Sequence, residues 1–315
     1  MTTSTAETIL TLLVDRENEW MSGQELALEL NISRAAIWKA IGKLIADGFT
    51  IESQRGPGKG YRYVASEKMS VTGISHYLSE QTQTINLQVF DTLPSTNTYA
   101  KIGLISDTIT TPSVIIANIQ TKGAGHFGRS FSSPAQTGLY ISFALPISID
   151  KQVTPHLIAI ASAVAVARTI KSLLAIELDF KWLNDLYYQG KKVGGILTEA
   201  VVNIESQTYS AIVIGIGLNL TNQAADLSFI TKELDISRNQ IAASLIDNFF
   251  DLYAHDEDKQ VLADYRAHLL DLGKQVHVKY ADQDITGLSK GIDDAGYLLV
   301  ETQTGLTKLA AGETR

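Results

Sequence analysis

The spacing of apolar residues over the first sixty-five positions predicts three helices followed by two short strands. The segment "TAETILTLLVD" is amphipathic; Ser22 and Glu25 form a capping box that opens "QELALEL", and Ser33 caps "RAAIWKAIGKLIAD", which Gly48 ends. The segments "FTIES" and "GYRYVA", joined by "QRGPGKG", predict a β-hairpin. Four apolar residues of the third helix repeat at helical spacing and are expected to face the core: Ile37, Ile41, Leu44 and Ile45.

Further along the chain, continuous apolar stretches predict buried strands and one buried helix. The residues 114–119 and the segment "TGLYISFALP" have the β-branched and aromatic content of strands. The segment "TPHLIAIASAVAVARTIKSLL" predicts a helix with Thr154 as N-cap and Pro155 at its first position. Its apolar run between His156 and Arg168 is too short to span a bilayer, so a core helix is expected.

The loop between the two predicted strands nearly satisfies two nucleotide-binding motifs. Gly123, Gly125 and Gly128 give the spacing G-x-G-x-x-G, and the same stretch matches a phosphate-binding loop except that Arg129 replaces its lysine. Both motifs need a helix directly after the loop, which the serine run and Pro134 disfavour. A glycine-rich basic loop between strands can still wrap an anion, and a flexible surface loop fits these residues equally well.

Composition bounds the class of protein. The chain has 315 residues, which suggests two or three domains, and 45% hydrophobic with 19% charged residues is ordinary for a globular protein. Without cysteine there is no disulfide, no thiolate nucleophile and no cysteine-ligated zinc. The six histidines show no metal-ligand spacing, so no protein metal site is predicted. The N-terminus lacks the basic region of a signal peptide, and a reducing cytoplasm is the expected location.

Charge is distributed unevenly, although the net charge is −8. Residues 1–30 carry six acids and one base, whereas residues 31–62 carry six bases and two acids. A local basic segment in an acidic protein is typical of a DNA-docking face, and three helices with a basic hairpin form a winged helix-turn-helix. A protein-interaction domain of the same shape is the alternative. The residues expected to contact DNA are Ser33, Arg34, Ala35, Trp38, Lys39, Lys43, Arg55 and Lys59.

The segment "SGQELALELNISRAAIWKAIGKLIADGFTIESQRGPGKGYRY" resembles the N-terminal domain of the bifunctional biotin–protein ligase and biotin-operon repressor family. Further matches to this family are "STN" at 95–97, "QTKGAGHFGR", "KWLNDLYYQGKKVGGIL", "IGIGLNL" and the C-terminal "VHVKYADQDITGLSKGIDDAGYLLVET". They follow the family's order over essentially the whole chain. The run "KWLNDLYYQGKKVGGIL" is the most specific of them.

The resemblance implies a multidomain α+β protein. Residues 1–65 are expected to form a winged helix-turn-helix DNA-binding domain, and residues 70–270 a mixed α/β, class II synthetase-like ligase domain. Residues 271–315 are expected to form a small SH3-like β-barrel, in which "DDAG" and "QTG" mark tight turns.

The resemblance also implies an activity. Biotin and ATP, with Mg²⁺, would give biotinyl-5'-AMP, from which biotin passes to a lysine of the biotin carboxyl carrier protein of acetyl-CoA carboxylase or of another biotin-dependent carboxylase. A homodimer would repress biotin genes by binding operator DNA. A lipoate-type ligase is the nearest alternative, and a biotin-sensing repressor without catalysis is another. The run "KWLNDLYYQGKKVGGIL" and the winged helix both favour biotin over lipoate. The catalytic set is intact, which argues against a sensor without catalysis: Lys181, Asp185, Lys192 and Arg129.

Adenylation of a carboxylic acid explains these residue types, because the substrate carboxylate is itself the nucleophile and the protein supplies position and positive charge. By resemblance, Lys192 binds the biotin carboxylate and then the adenylate phosphate, Asp185 lies beside the acceptor lysine or Mg²⁺, and Arg129 meets the triphosphate; Lys181 completes the catalytic group. The biotin-binding set is Ser95, Thr96, Asn97, Gln120, Ala124, Gly125, His126 and Lys192. The ATP-binding set is Gly123, Gly128, Arg129, Trp182, Asn184 and Asn219.

Two positions of the loop depart from the family pattern, because Ala124 and His126 stand where arginines are usual. A neutral imidazole offers a phosphate less charge than a guanidinium. We therefore expect weaker retention of the adenylate than in a relative with both arginines. Protonation of His126 should improve retention as the pH falls from about 8 to about 6.

Overall fold

The chain folds into two compact units. One comprises Met1–Gln83 with Asp235–Ala243, and the other comprises Thr84–Leu234 with Ser244–Arg315. The domain limits expected from the sequence remain predictions. The computed structural model describes residues 4–64, 66, 68–148, 154–203, 208–221, 228–254, 259–280 and 283–314.

The first unit contains the three helices and the hairpin that the apolar spacing predicts, followed by one more short helix. The elements are α1 (Thr5–Asp15), α2 (Gly23–Glu29), α3 (Arg34–Ala46), β1 (Ile51–Ser53), β2 (Tyr61–Tyr63) and α4 (Val71–Ser75). The capping box is confirmed: the Glu25 backbone donates to Ser22 Oγ, and its carboxylate accepts from the Ser22 backbone. Ser33 caps α3, and Gly48, at φ +95°, lets the chain turn away after that helix.

The core-facing stripe of α3 was predicted correctly except at one position. Ile37, Ile41 and Leu44 are buried, whereas Ile45 is 47% exposed. The buried positions follow the i, i+3, i+4, i+7 pattern because Ala40 completes the stripe. Ile45 comes four residues after Ile41, which places it about 40° further around the helix, at the edge of the buried stripe. The prediction that Ile45 faces the core was therefore wrong.

The second unit is built on a seven-stranded sheet with the strand order β3-β4-β5-β9-β8-β7-β6. Only the β3–β4 pair is parallel; the other pairs are antiparallel. The elements are β3 (Asn86–Leu93), α5 (Thr96–Ile105), β4 (Ser113–Gln120), β5 (Gly138–Pro146), α6 (Pro155–Leu174), β6 (Asp179–Lys181), β7 (Asp185–Tyr188), β8 (Lys191–Asn203), β9 (Thr208–Asn219), α7 (Arg238–Ala254, whose first turns belong to the first unit) and α8 (Lys259–Ala267). The glycine-rich loop joins strands β4 and β5, as predicted.

The helix α6 is apolar along most of its length. Among the helices of the described ranges, it alone is long and apolar enough to cross a membrane, and 61% of that window is buried inside the protein. This burial agrees with the prediction of a core helix. Thr154 and Pro155 occupy the predicted first positions, but the Thr154 side chain makes no capping hydrogen bond.

The C-terminal part of the second unit is a five-stranded antiparallel sheet with the order β13-β12-β11-β10-β14. Its strands are β10 (Gln275–Tyr280), β11 (Gln283–Ile292), β12 (Leu298–Thr302), β13 (Gly305–Leu309) and β14 (Glu313–Thr314). Gly296 and Gly305 end the predicted turns with φ of +81° and +122°. Left-handed backbone at these positions explains why the turns contain glycine.

The loop end of the hairpin in the first unit depends on a close backbone approach at Gly60. Tyr61 and Met21 exchange two backbone hydrogen bonds of 2.8 Å, and a Cβ at Gly60 would overlap the carbonyl oxygen of Met21. We expect Gly60→Ala to lower the free energy of unfolding by about 1–3 kcal/mol. Gly42→Ala is the matched control, because a Cβ there has no neighbour within 4 Å on helix α3. It should be neutral or stabilise by about 0.5–1 kcal/mol. Equal effects of the two variants in denaturant titrations would contradict the account.

Candidate active site

One pocket of about 380 Å³ in the second unit brings together most of the predicted ligand-binding residues. They come from separate segments: the start of α5, the end of β4, the glycine-rich loop, the turn between β6 and β7, strand β8 and the end of β9. The predicted residues that line it are Ser95, Thr96, Asn97, Gln120, Ala124, Gly125, His126, Arg129, Asn184, Asp185, Lys192 and Asn219.

One wall is formed where α5 begins beside the end of β4. Ser95 is the N-cap of α5. The Thr96 backbone donates to Gln120 Oε1 at 2.8 Å, and Gln120 Nε2 donates to Ser133 Oγ at 2.9 Å. Thr96 and Asn97 are each 4% exposed. These polar groups are therefore held in fixed orientations, which suits recognition of a polar ligand head.

The glycine-rich loop closes a second side of the pocket. The Gly125 backbone donates to the Arg129 carbonyl at 2.7 Å, around a short 3₁₀ turn at His126–Gly128. His126 Nε2 lies 3.0 Å from the carbonyl oxygen of Ile196. Because a carbonyl only accepts, the imidazole carries its proton on Nε2. His126 thus fastens the loop to strand β8.

The turn after β6 meets the same carbonyl. Asn184 Nδ2 donates to the Ile196 oxygen at 3.0 Å, and the Ile196 backbone donates to the Asn184 carbonyl at 2.8 Å. One carbonyl therefore accepts from both His126 and Asn184. The loop and the turn are held against each other through a single residue of the sheet.

The charged pair of the pocket is Lys192 with Asp185. The Lys192 Nζ lies 2.6 Å from Asp185 Oδ1, and the side chains remain 44% and 24% exposed. Their strands β7 and β8 pair antiparallel, with a register shift between Leu186 and Tyr187. The ammonium can exchange this carboxylate for the carboxylate or phosphate of a ligand. Arg129 adds a second, exposed cation.

Asn219 presents an unused acceptor to the pocket. It is 5% exposed, and its Nδ2 donates to the Ser228 carbonyl at 3.2 Å. Among the described residues its Oδ1 has no hydrogen-bond partner. A buried acceptor of this kind is satisfied when a ligand amine occupies the pocket.

Four predicted site residues do not line the pocket: Lys181, Trp182, Gly123 and Gly128. Trp182 is 2% exposed; its Nε1 donates to the Gly296 carbonyl at 3.1 Å and its backbone donates to Asp271 Oδ2 at 3.0 Å. Trp182 thereby anchors the "KWLND" turn to the C-terminal sheet, and its contact with ATP stays a prediction. Gly123 is required for a different reason, since a Cβ there would overlap the carbonyl oxygen of Phe131.

The sequence reasoning missed Phe131, Gly215 and Gly217, which also line the pocket. The Phe131 ring lies where a Cβ on Gly217 would be, and Asn97 lies where a Cβ on Gly215 would be. The signal was present in "IGIGLNL", because two glycines two residues apart on a strand leave one face open for close approach.

In the first unit, the predicted DNA-contacting face is exposed. Residues of α3 and of the hairpin that face solvent are Arg34, Ala35, Trp38, Lys39, Lys43 and Arg55, with Trp38 at 72%. Ser33 is also exposed, and its Oγ accepts from the Ala36 backbone. Lys59 is half-buried, with Nζ 4.6 Å from the Trp20 ring, and Arg62 Cζ lies 4.8 Å from the same ring. Trp20 thereby holds the cations of the hairpin in place.

Comparison with known proteins finds matches to three segments of the chain. The Biotin/lipoate A/B protein ligase family matches residues 89–219, an HTH domain matches residues 5–62, and the biotin protein ligase C-terminal domain matches residues 271–313. The "Bifunctional ligase/repressor BirA" of Bacillus subtilis is 31% identical over 97% of this chain and 96% of its own length. The protein of the same name from Escherichia coli is 30% identical over 92% of this chain and 90% of its own length.

Solved structures share the fold. Biotin protein ligase from Aquifex aeolicus, in complex with biotin and ATP, superposes with a TM-score of 0.61 at 24% identity, covering 73% of this chain and 97% of that one. The matched family models define a protein ligase joined to a helix-turn-helix domain. Because the Bacillus subtilis relative is 31% identical over 97% of this chain, the chain belongs to the bifunctional ligase/repressor family.

The structure shifts the pH at which protonation of His126 should improve adenylate retention to a lower value than the sequence predicts. Burial lowers the pKa of His126 below its ordinary value of 6.5, and the hydrogen bond to Ile196 opposes this without reversing it. A base with a depressed pKa stays neutral down to lower pH, so any gain in adenylate retention by protonation should come below pH 6.5 rather than from pH 8 downward. We expect NMR titration to show the neutral Nε2–H tautomer of His126 as the major form at pH 6.5. A titration midpoint at or above pH 6.5 would contradict this assignment.

Proposed function

We propose that this protein is a biotin–protein ligase and a biotin-responsive DNA-binding repressor. It activates biotin with ATP to biotinyl-5'-AMP and transfers biotin to a lysine of a biotin carboxyl carrier domain. The observation that supports this best is the single pocket shared by the Lys192–Asp185 pair, Arg129 and a wall of fixed polar side chains. Biotin and ATP are the substrates named for the Aquifex aeolicus complex.

In the first step, an oxygen of the biotin carboxylate attacks the α-phosphorus of ATP. The bond from that phosphorus to the β-phosphate oxygen breaks, and pyrophosphate leaves. The carboxylate displaces Asp185 from Lys192, so one ion pair is exchanged for another and no cation is left unpaired in the pocket. Arg129 faces the phosphates, and the Asn219 Oδ1 accepts from the amino group of adenine.

In the second step, the amine of the carrier lysine attacks the acyl carbon, and AMP leaves. Asp185, which is released from Lys192 in the first step, then lies free to accept a proton from the attacking amine. Lys192 balances the charge on the departing phosphate. The loop tied to Ile196 by His126 keeps water from the anhydride during the wait for the carrier.

The pocket residues fit one Mg²⁺ bound with the substrate phosphates. Within the described ranges, no group of three His, Cys, Asp or Glu side chains could hold a metal by itself, and Asp185 is the carboxylate among the described lining residues. Mg²⁺ is commonly bound by one or two carboxylates together with phosphate oxygens and water. Asp185 would hold the ion during the first step only, and the ion would neutralise charge on the pyrophosphate.

The alternatives are weaker. A lipoate-type ligase uses the same adenylate chemistry and shares the family profile, but the whole-chain relatives are named ligase/repressors. A sensor without catalysis would have no need of Lys192, Asp185 and Arg129 in one pocket.

We also propose a class II synthetase-like ligase domain, an SH3-like barrel for the C-terminal sheet, domain limits at 1–65, 70–270 and 271–315, and a cytoplasmic homodimer. The roles expected for Lys181, Trp182, Gly123 and Gly128 also belong to this proposal.

The exposed face of α3 supports the DNA-binding half. Helix α3 would enter the major groove of DNA, and Arg55 and Lys59 of the hairpin would contact phosphate. Trp38 is an unusual residue on such a face, and a thymine methyl is a suitable apolar contact for it. The protein would bind operator DNA as a homodimer, because a two-fold symmetric protein matches two paired half-sites. Biotinyl-adenylate would strengthen this binding.

Lys192→Ala should reduce biotin-dependent pyrophosphate release by about 10²- to 10³-fold, because charge at the reacting carboxylate is lost. The fold should survive, since an exposed ion pair contributes only about 0–1 kcal/mol. The matched control is Lys191→Ala, which removes an exposed lysine outside the pocket. Replacing biotin by lipoate tests the substrate class. Wild-type turnover in a folded Lys192→Ala protein would reject the role, and release with lipoate alone would reject biotin.

Lys39→Ala should weaken DNA binding and reduce the slope of log affinity against log salt by about one, because one phosphate contact is lost. Lys274→Ala, an exposed lysine of the second unit, should leave both unchanged. Fluorescence anisotropy on the biotin-operon region, with and without biotinyl-adenylate, measures both quantities. Absence of binding at every adenylate concentration would remove the repressor half and leave the ligase half intact.

A further inference from the structure

A chain of hydrogen bonds runs from a half-exposed ion pair to the polar wall of the pocket. Lys101 on α5 lies with its Nζ 2.6 Å from Glu199 Oε1 on β8. The other carboxylate oxygen, Oε2, accepts from Asn97 Nδ2 at 3.1 Å. Neither Lys101 nor Glu199 lines the pocket, whereas Asn97 does. Glu199 therefore reaches the ligand only through Asn97.

Glu199 fixes the orientation of the Asn97 amide. The two protons of Nδ2 go to Glu199 Oε2 and, at 3.2 Å, to the Leu197 carbonyl, and both of these groups only accept. The amide oxygen must then face Ser142, whose Oγ is 2.6 Å away. A Cβ on Gly215 would overlap this amide, so strand β9 packs directly against it. Asn97 can exchange its oxygen and nitrogen by a flip, and little other movement is open to it.

With the amide fixed, the wall is short of donors. Ser142 Oγ lies 2.6 Å from Asn97 Oδ1 and 2.7 Å from Thr96 Oγ1, and Thr96 Oγ1 lies 3.1 Å from Gln120 Oε1. These three oxygen–oxygen contacts share two hydroxyl protons. Ser142 is 0% exposed and Thr96 and Asn97 are each 4% exposed, so bulk water has little access to the oxygens of these three residues. The wall therefore favours a ligand that brings N–H groups.

The substrate classes differ in this respect. The ureido ring of biotin carries two N–H donors, whereas the dithiolane ring of lipoate carries none. If Glu199 were lost, the Asn97 amide could flip and place Nδ2 against Ser142. A third donor would then satisfy the wall internally, and the demand for a ligand N–H would fall.

We propose that Glu199, held by Lys101, is a positioning residue that keeps the Asn97–Ser142–Thr96–Gln120 wall short of donors and thereby selects an N–H-bearing substrate head. The inference rests on the proposed biotin ligase function. Glu199 does not touch the substrate. Its effect reaches binding of biotin and leaves the phosphate-binding side of the pocket unchanged.

The test is Glu199→Gln, which keeps the side-chain shape and removes the fixed acceptor. Calorimetry should show biotin affinity reduced at least about tenfold, with Lys101→Met giving a smaller loss. In pyrophosphate-release assays the KM for biotin should rise while the KM for ATP and the melting temperature stay close to those of the wild type. Glu177→Gln, which breaks the exposed Lys171–Glu177 pair, is the matched control and should change none of these.

Each result decides the proposal. Biotin affinity of Glu199→Gln within about twofold of the wild type would overturn it, because the flip would then have no consequence. Equal rises in both KM values with a lower melting temperature would assign Glu199 a merely structural role and also overturn it. If the wild type itself binds no biotin, the proposed function fails; if the wild type binds and only the variant pattern is absent, this inference alone fails.

Discussion

The arrangement of the pocket depends on the carbonyl oxygen of Ile196. Strand β8 pairs with β9 through Ile196 and Ile216, and the Ile196 oxygen accepts from both His126 and Asn184. A carbonyl has two lone pairs, so both bonds can form at once. Two segments far apart in sequence are thus placed by one atom of the sheet. Displacement of β8 would move the loop and the "KWLND" turn together.

The helices of the first unit could be predicted because their signals are local. A capping box, an N-cap serine and a glycine at the end of a helix act within three or four residues, and each was found where the sequence places it. Ile45 shows the limit of this reasoning. Periodicity predicts the width of a buried stripe only approximately, and packing decided that Ala40 rather than Ile45 completes it.

For the site, resemblance predicted the residues that short motifs carry, and most of them line one pocket. It could not predict contacts that depend on the register of distant strands. Trp182 belongs to a motif but its indole donates to Gly296, more than a hundred residues away. Phe131 and Ser142 belong to no motif. The Phe131 backbone donates to the Gly123 carbonyl across the loop, and Ser142 is placed by the pairing of β5 with β9. Local patterns therefore identify the chemistry, and sheet register decides which side chains reach it.

The formal charges that line the pocket are few. Among the lining residues of the described ranges, Lys192, Asp185 and Arg129 sum to +1, and burial lowers the pKa of His126, which favours its neutral form. An adenylate, which carries one negative charge, matches such a pocket better than a triphosphate does. A neutral His126–Ile196 bond is also little affected by salt, unlike an arginine–phosphate pair. Closure of this loop therefore depends more on the position of the Ile196 carbonyl than on the charges that line the pocket.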